Sequence, residues 1–272
     1  MLLEAILNVT ARTNPPLRRL GLVRDAVALW SRATRRRRSW RAHEERCHGI
    51  VRRAVAALGT RRTVIVLGSG LIRDVPLPFL ADAFDRVVLL DAVHLLPARL
   101  KARRAGAEIV CADLTGAAAW LAGDGTGRED PLKPWREDER LDLVISANVL
   151  SQLPMAIESW LERRPGWALG LPADLPGQVV RWHLSDLASV PCPVCLLTDV
   201  GYRVAGRDGA VLDEEDLLHG AMLPAPDESW DWEVAPFGEI ARDEAYIHRV
   251  QGYADLNRLE RPDRGDSAAP SR

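Results

Sequence analysis

The 272-residue sequence predicts an α/β fold: a doubly wound, mostly parallel sheet closed by an antiparallel hairpin and preceded by helices. Three observations predict it. Short apolar runs rich in Val, Ile and Leu alternate with helix-period stretches five times between Thr63 and Val200. The runs carry few polar residues on either face, as strands buried in a parallel sheet do. Two further strand-like stretches, 229–240 and 245–256, are separated only by a short turn.

The elements follow in order. Residues 1–58 read as helical, broken near Asn14-Pro15-Pro16. From Trp40 onward, Trp40, His43, Cys47, Ile50, Val51, Ala54 and Leu58 recur at helical spacing on one face, and Gly59 is a natural stop. "TVIVLGSG" (63–70) is a strand closed by glycines, and "VPLPFLADAF" is a helix with Pro76 and Pro78 in its first turn. "RVVLLD" (86–91) is the second strand, and the next helix ends at Gly106. "EIVCADL" (108–114) is the third strand, before the short helix "GAAAWLA". The polar stretch 123–140 reads as a surface loop. "LDLVISANVL" (141–150) is the fourth strand, helices follow at 155–164 and 178–189, and "VCLLTDV" (194–200) is the fifth strand. These elements make a helical, arginine-rich extension or cap over 1–60, a Rossmann-like domain over 61–258 and a flexible tail over 259–272.

Composition limits the function. With 47% hydrophobic residues the chain can bury a sizeable core, and a net charge of -2 gives no global pull on nucleic acid. The charge is unevenly spread: Arg18 to Arg62 holds fourteen arginines against Asp25, Glu44 and Glu45. The run Arg35 to Arg38 could grip phosphates, but only Trp30 and Trp40 lie near it as stacking partners, so a solvated helix face is expected. Cys192 and Cys195 have CxxC spacing without a second pair. On a strand they face opposite sides, so they read as core residues and no metal site is expected. There is no run of about eighteen apolar residues, and the opening "MLLEAILNVTAR" has Glu4 where a signal peptide is basic; a cytoplasmic protein without a membrane span is expected.

In an open α/β sheet, ligands bind beyond the carboxyl ends of the strands. Gly68 and Gly70 would let the backbone turn sharply and approach a ligand. Asp91 ends the second strand, placed for a ribose diol, and Asp113 ends the third. A nicotinamide dinucleotide site shares the Gly-Ser-Gly and the acid. Against it stand Arg73 at the third glycine position, two prolines opening the helix, and the lack of a Tyr-x-x-x-Lys pair.

The series "VIVLGSGLIRD", "VVLLDAV", "VCADL" and "LDLVISANVLSQLP" resembles the class I S-adenosylmethionine-dependent methyltransferases over roughly Arg62 to Leu256. The closing hairpin is similar to the one that ends that family's seven-stranded sheet. The resemblance implies S-adenosylmethionine as cofactor. It implies Gly68, Ser69 and Gly70 at the amino-acid part, Asp91 on the ribose, Asp113 and Leu114 at the adenine, and Ser146, Ala147 and Asn148 under the sulfonium. Val66 stands where the family usually has an acid and Ile72 where it often has a third glycine; Asp74 lies nearby. "ANVLSQLP" lacks a Pro-Pro-aromatic signature and is closer to the small-molecule branch. Candidate bases are His94, after the second strand, and His183, which sits among Val180, Leu184 and Leu187 as a core histidine would; His43 could cap the pocket with Trp40. The expected function is methyl transfer to a small molecule. The alternatives are a catalytically degenerate binding or assembly module, to which Val66 points, and an RNA-directed enzyme using the arginine helix.

Overall fold

The computed structural model describes residues 2–123, 127–164 and 171–258. The tail expected over 259–272 lies outside them. Four helices come first: α1 (Leu2–Thr10), α2 (Pro15–Arg19), α3 (Leu22–Arg35) and α4 (Arg41–Ala56). The alternation follows: β1 (Thr63–Leu67), α5 (Leu77–Ala83), β2 (Arg86–Asp91), α6 (Leu96–Arg104), β3 (Glu108–Cys111), α7 (Ala118–Leu121) and β4 (Leu141–Ala147). Next come α8 (Gln152–Glu162), α9 (Leu175–Ala188), β5 (Val194–Gly206), β6 (Val211–Asp216), β7 (Glu228–Ala235) and β8 (Glu244–Tyr253).

The strands form one sheet in the order β3-β2-β1-β4-β5-β8-β7, with β6 on the free flank of β5. β1 to β5 pair in parallel. β8 runs antiparallel between β5 and β7. This is the doubly wound, Rossmann-like sheet and closing hairpin that the sequence predicts.

The period of two sorts the side chains into two apolar layers. Ile65, Leu67, Val88, Leu90, Val144 and Leu196 meet α7, α8 and α9. Val64, Val66, Val87, Leu89, Ile145 and Leu197 meet α4, α5 and α6. The CxxC pair divides the same way, Cys192 in the first layer and Cys195 in the second. On α4, Cys47, Ile50, Val51 and Ala54 enter the second layer. A Cβ at Gly252 would stand 2.8 Å from Ile50, so glycine there lets α4 lie close on β8.

The first three helices lie over the carboxyl ends of the strands. Leu7, Ala11, Val23 and Val27 pack on Val93 and Leu95 in the loop leaving β2. Arg12 and His94 exchange backbone hydrogen bonds of 3.0 and 2.9 Å, and Thr13 Oγ1 donates to the Ala92 carbonyl at 2.8 Å. The expected break at Asn14 is a cap: its side chain accepts from the Leu17 amide at 3.0 Å and starts α2 on its prolines. At the end of α3, Arg35 and Arg36 both donate to the carboxylate of Glu239, beyond β7.

Several boundaries differ from the sequence reading. β5 does not stop at Val200. It bulges at Asp199–Gly201 and continues to Gly206, where β6 pairs with it in place of β4. A Cβ at Gly201 would stand 2.9 Å from the Glu215 carbonyl, so this glycine permits the strand instead of ending it. β6 is wholly exposed, hence without an alternating apolar signal. β7 stops at Ala235 because Pro236 has no amide to donate. β3 ends at Cys111, α5 starts after Pro76, and α8 and α9 start about a turn early, at Gln152 and Leu175. The loop before β4 contains a 3-10 turn, Lys133–Trp135, and is pinned by buried Leu132.

Candidate functional site

The carboxyl ends of β1, β2 and β4 bring most of the predicted site residues together. Gly68 and Gly70 have φ of +69° and +46°, the left-handed conformations that favour glycine. Ile72 adopts φ +54° where the resemblance has a glycine, a strained conformation for a β-branched residue. Asp91 closes the turn from the other side. Its Oδ2 accepts from the Gly70 amide at 2.6 Å and its Oδ1 from the Val93 amide at 3.2 Å. Burial raises its pKa, opposed by His94 and these amides.

The ends of β1 and β4 touch. A Cβ at Gly68 would lie 2.3 Å from the Val149 Cβ, so only glycine fits. One residue along from each contact, the buried Ser69 Oγ and Asn148 Oδ1 have no hydrogen-bond partner among the described residues. Asn148 is itself left-handed, at φ +51°.

Other predicted residues are engaged elsewhere. Asp113 turns its carboxylate to the start of α7, accepting from Thr115 N at 3.0 Å, Thr115 Oγ1 at 2.6 Å and Ala118 N at 2.6 Å. Leu114 is buried in the first apolar layer. Ser146 Oγ lies 2.9 Å from His183 Nε2 on α9. Burial pushes the His183 pKa down to about 4, so this ring is neutral and packed in the core. His94 is buried too, with Nε2 3.0 Å from the Val110 carbonyl, and braces the β2 loop against β3. The arginine run is divided: Arg35 and Arg36 bind Glu239, whereas Arg37 and Arg38, with Arg41 and Glu44, line an open hollow of about 390 Å³.

A second polar cluster sits beside Asn148. His43 stacks on Trp232 at 3.8 Å, and Trp230 Nε1 donates to its Nδ1 at 3.2 Å. An indole nitrogen only donates, so Nδ1 carries no proton and the neutral ring holds its proton on Nε2. That nitrogen faces Asp74 Oδ1 at 3.5 Å. Although burial would raise the Asp74 pKa, hydrogen bonds from His43 and Asn148 hold it below its usual value. His43, Cys47 and Asp74 are grouped closely enough to enclose a metal ion. Burial pushes the Cys47 pKa well up. As they stand these residues form a hydrogen-bond network in which Trp230 sets the tautomer of His43.

The structure adds a pair the sequence reading missed. His248 Nδ1 lies 2.9 Å from Asp199 Oδ2, at the end of the β5 segment that continues the parallel sheet. Asp199 is buried and its Oδ1 has no partner among the described residues. Trp232 meets His248 edge-on at 6.0 Å and links the pair to His43. The signal that picks out Asp91, an acid ending an apolar strand, was also present in "LLTDV".

No family model and no curated protein matches this sequence. Among solved structures, the chain is similar to the 1,6-didemethyltoxoflavin-N1-methyltransferase of Burkholderia thailandensis, solved with 1,6-didemethyltoxoflavin and S-adenosylhomocysteine. The identity is 15% over 76% of this chain and 79% of that chain, with a TM-score of 0.33. A putative methyltransferase complexed with the Haloferax volcanii Trm112 activator gives 18% identity, 58% and 57% coverage and a TM-score of 0.30. An rRNA methylase from Streptococcus thermophilus gives 11%, 76% and 96%, and 0.30. The strand order and the left-handed glycine turn after β1 give the chain a doubly wound, Rossmann-like fold. Among the described residues no helix is long and apolar enough to cross a membrane.

Proposed function

We propose that this Rossmann-like protein binds S-adenosylmethionine and transfers its methyl group to a small molecule. One observation carries the reading. Asp91 is held against the Gly70 amide, and beside this turn Ser69 Oγ and Asn148 Oδ1 are buried without partners. Buried polar atoms without partners are costly, and a polar ligand at the turn would satisfy them. Gly68, Ser69, Gly70 and Asn148 would hold the amino-acid part and Asp91 the ribose, whereas Asp113, Leu114 and Ser146 are already committed to α7 and the core. When bound, the cofactor supplies an electrophilic methyl group on a sulfonium. Among the residues of this chain, Asp199 orients His248 with Nδ1 toward the carboxylate, which leaves Nε2 to take a proton from the acceptor. His248 replaces His43, His94 and His183 as the favoured base, because each of those three rings is committed to buried partners. The helices lying over the strand ends favour a small acceptor over a large one.

A second reading, a binding module without turnover, draws on Val66. It lies fully inside the second apolar layer and leaves no acid at that position. Calorimetry decides the cofactor question. S-adenosylmethionine and its demethylated product should both bind, and Asp91→Ala should weaken binding tenfold or more. No heat with either compound would end the proposal. Tight binding without methyl transfer to any acceptor in a cell extract would favour the second reading.

A further inference from the structure

A second hollow, of about 230 Å³, lies where the corner between α2 and α3 meets the end of α8. It is lined by Arg19, Leu20, Gly21, Arg24, Arg163 and Arg164, so among the described residues four arginines and no acid line it, with Asp25 beside Arg24. Two of these arginines are held in place by the fold. Arg163 donates to the Leu20 carbonyl at 2.9 Å and to Ser159 Oγ. Arg164 lies over the buried Trp160 ring, 5.1 Å from its centroid. Gly21 turns the chain at φ +86°, and a Cβ there would meet the Arg163 guanidinium at 3.5 Å, so glycine keeps this wall thin. Arg24 completes the rim, with its Nε 3.5 Å from Asp25 Oδ1. No side chain caps the start of α3 here, which leaves the positive end of its dipole at the hollow.

Arg163 and Arg164 set two like charges on one wall, held by a carbonyl, a hydroxyl and an aromatic ring, and a bound polyanion would turn their mutual repulsion into attraction. Guanidinium forks match the oxygens of a phosphoryl group with paired hydrogen bonds. We infer that this hollow binds the phosphate of a phosphorylated small molecule. The inference does not depend on methyl transfer. It differs from a general attraction to RNA because the hollow is a single concavity built from two distant parts of the chain. The arginine-lined hollow at Arg37, Arg38 and Arg41 lies at the other end of α3.

The test is calorimetric titration of the full chain with inorganic pyrophosphate, and separately with a short single-stranded RNA. Pyrophosphate should bind, and Arg24→Gln and Arg164→Gln should each weaken it by about tenfold. Arg38→Gln should leave it unchanged, and added salt should weaken it progressively. Arg24 is exposed and outside the apolar core, so Arg24→Gln keeps the test valid if Arg164→Gln disturbs Trp160. Absence of heat with pyrophosphate would overturn the inference. So would equal affinity in all variants, or RNA binding that Arg38→Gln weakens as much as Arg24→Gln.

Discussion

Gly68→Ala is the sharpest probe of how the glycine turn is built. The residue sits at φ +69°, where a side chain costs about 1–2 kcal/mol. Its new Cβ would also lie 2.3 Å from Val149 Cβ, 2.9 Å from Cγ2 and 3.0 Å from Cγ1. Forcing a methyl into so tight a contact costs about 1–3 kcal/mol more. Gly68→Ala should therefore destabilise the protein by about 2–5 kcal/mol, a large part of a typical domain's stability. The geometry also specifies which second change rescues it. Val149→Ala keeps the Cβ that makes the closest contact, so the clash remains. Val149→Gly removes all three contacting atoms. In urea unfolding, the Gly68→Ala/Val149→Gly pair should show a favourable coupling of about 1–3 kcal/mol, and the Gly68→Ala/Val149→Ala pair almost none. Equal rescue by both, or a neutral Gly68→Ala, would refute the proposed contact between the ends of β1 and β4.

Three further outcomes are expected. The His183 pKa is about 4 in the fold against 6.5 when exposed, so its contribution is whole above pH 6.5 and is lost as the pH falls toward 4. That loss amounts to about 3 kcal/mol, and His183→Gln should flatten the stability profile across this window. Arg35 and then Arg36 hold Glu239 below its usual pKa. Its contribution is present above pH 4.5 and lost as the pH falls further, and Glu239→Gln should cost about 1–3 kcal/mol by thermal unfolding at neutral pH. Cys47, Cys192 and Cys195 are buried whereas Cys111 is partly exposed. A thiol reagent should therefore modify at most one cysteine in the native protein and all four after denaturation.

The sequence carried the fold in its hydrophobic rhythm. Strands buried on both faces must be apolar throughout, and that left five clear runs together with the opposite facing of Cys192 and Cys195. Asp91 and the glycines were readable because a tight strand-to-helix turn and a strand-end acid restrict residue type. What escaped depended on partners far along the chain. Nothing local in "TVIVLGSG" announces that Val149 will press on Gly68. Asp113 looks like Asp91 in sequence, but its neighbours Thr115 and Ala118 draw its carboxylate into the next helix. Asp199 acquires meaning only once β8 brings His248 alongside it. β6 was invisible because an exposed acidic strand has no buried face to mark it.

The position of β8 has a consequence for how the chain comes together. The last strand of the described residues lies between β5 and β7, and its Gly252 is the surface on which Ile50 of α4 rests. Glu239, also late in the chain, anchors the far end of α3. The end of α3 and the Ile50 face of α4 therefore complete their contacts only once residues 239–252 are in place, after α1 and α3 can already rest on Val93 and Leu95. Contacts so distant in sequence form slowly. A cut before β8 should leave Ile50 of α4 and the flank of β5 uncovered, a sticky, unclosed half-sheet instead of a shorter version of the same protein.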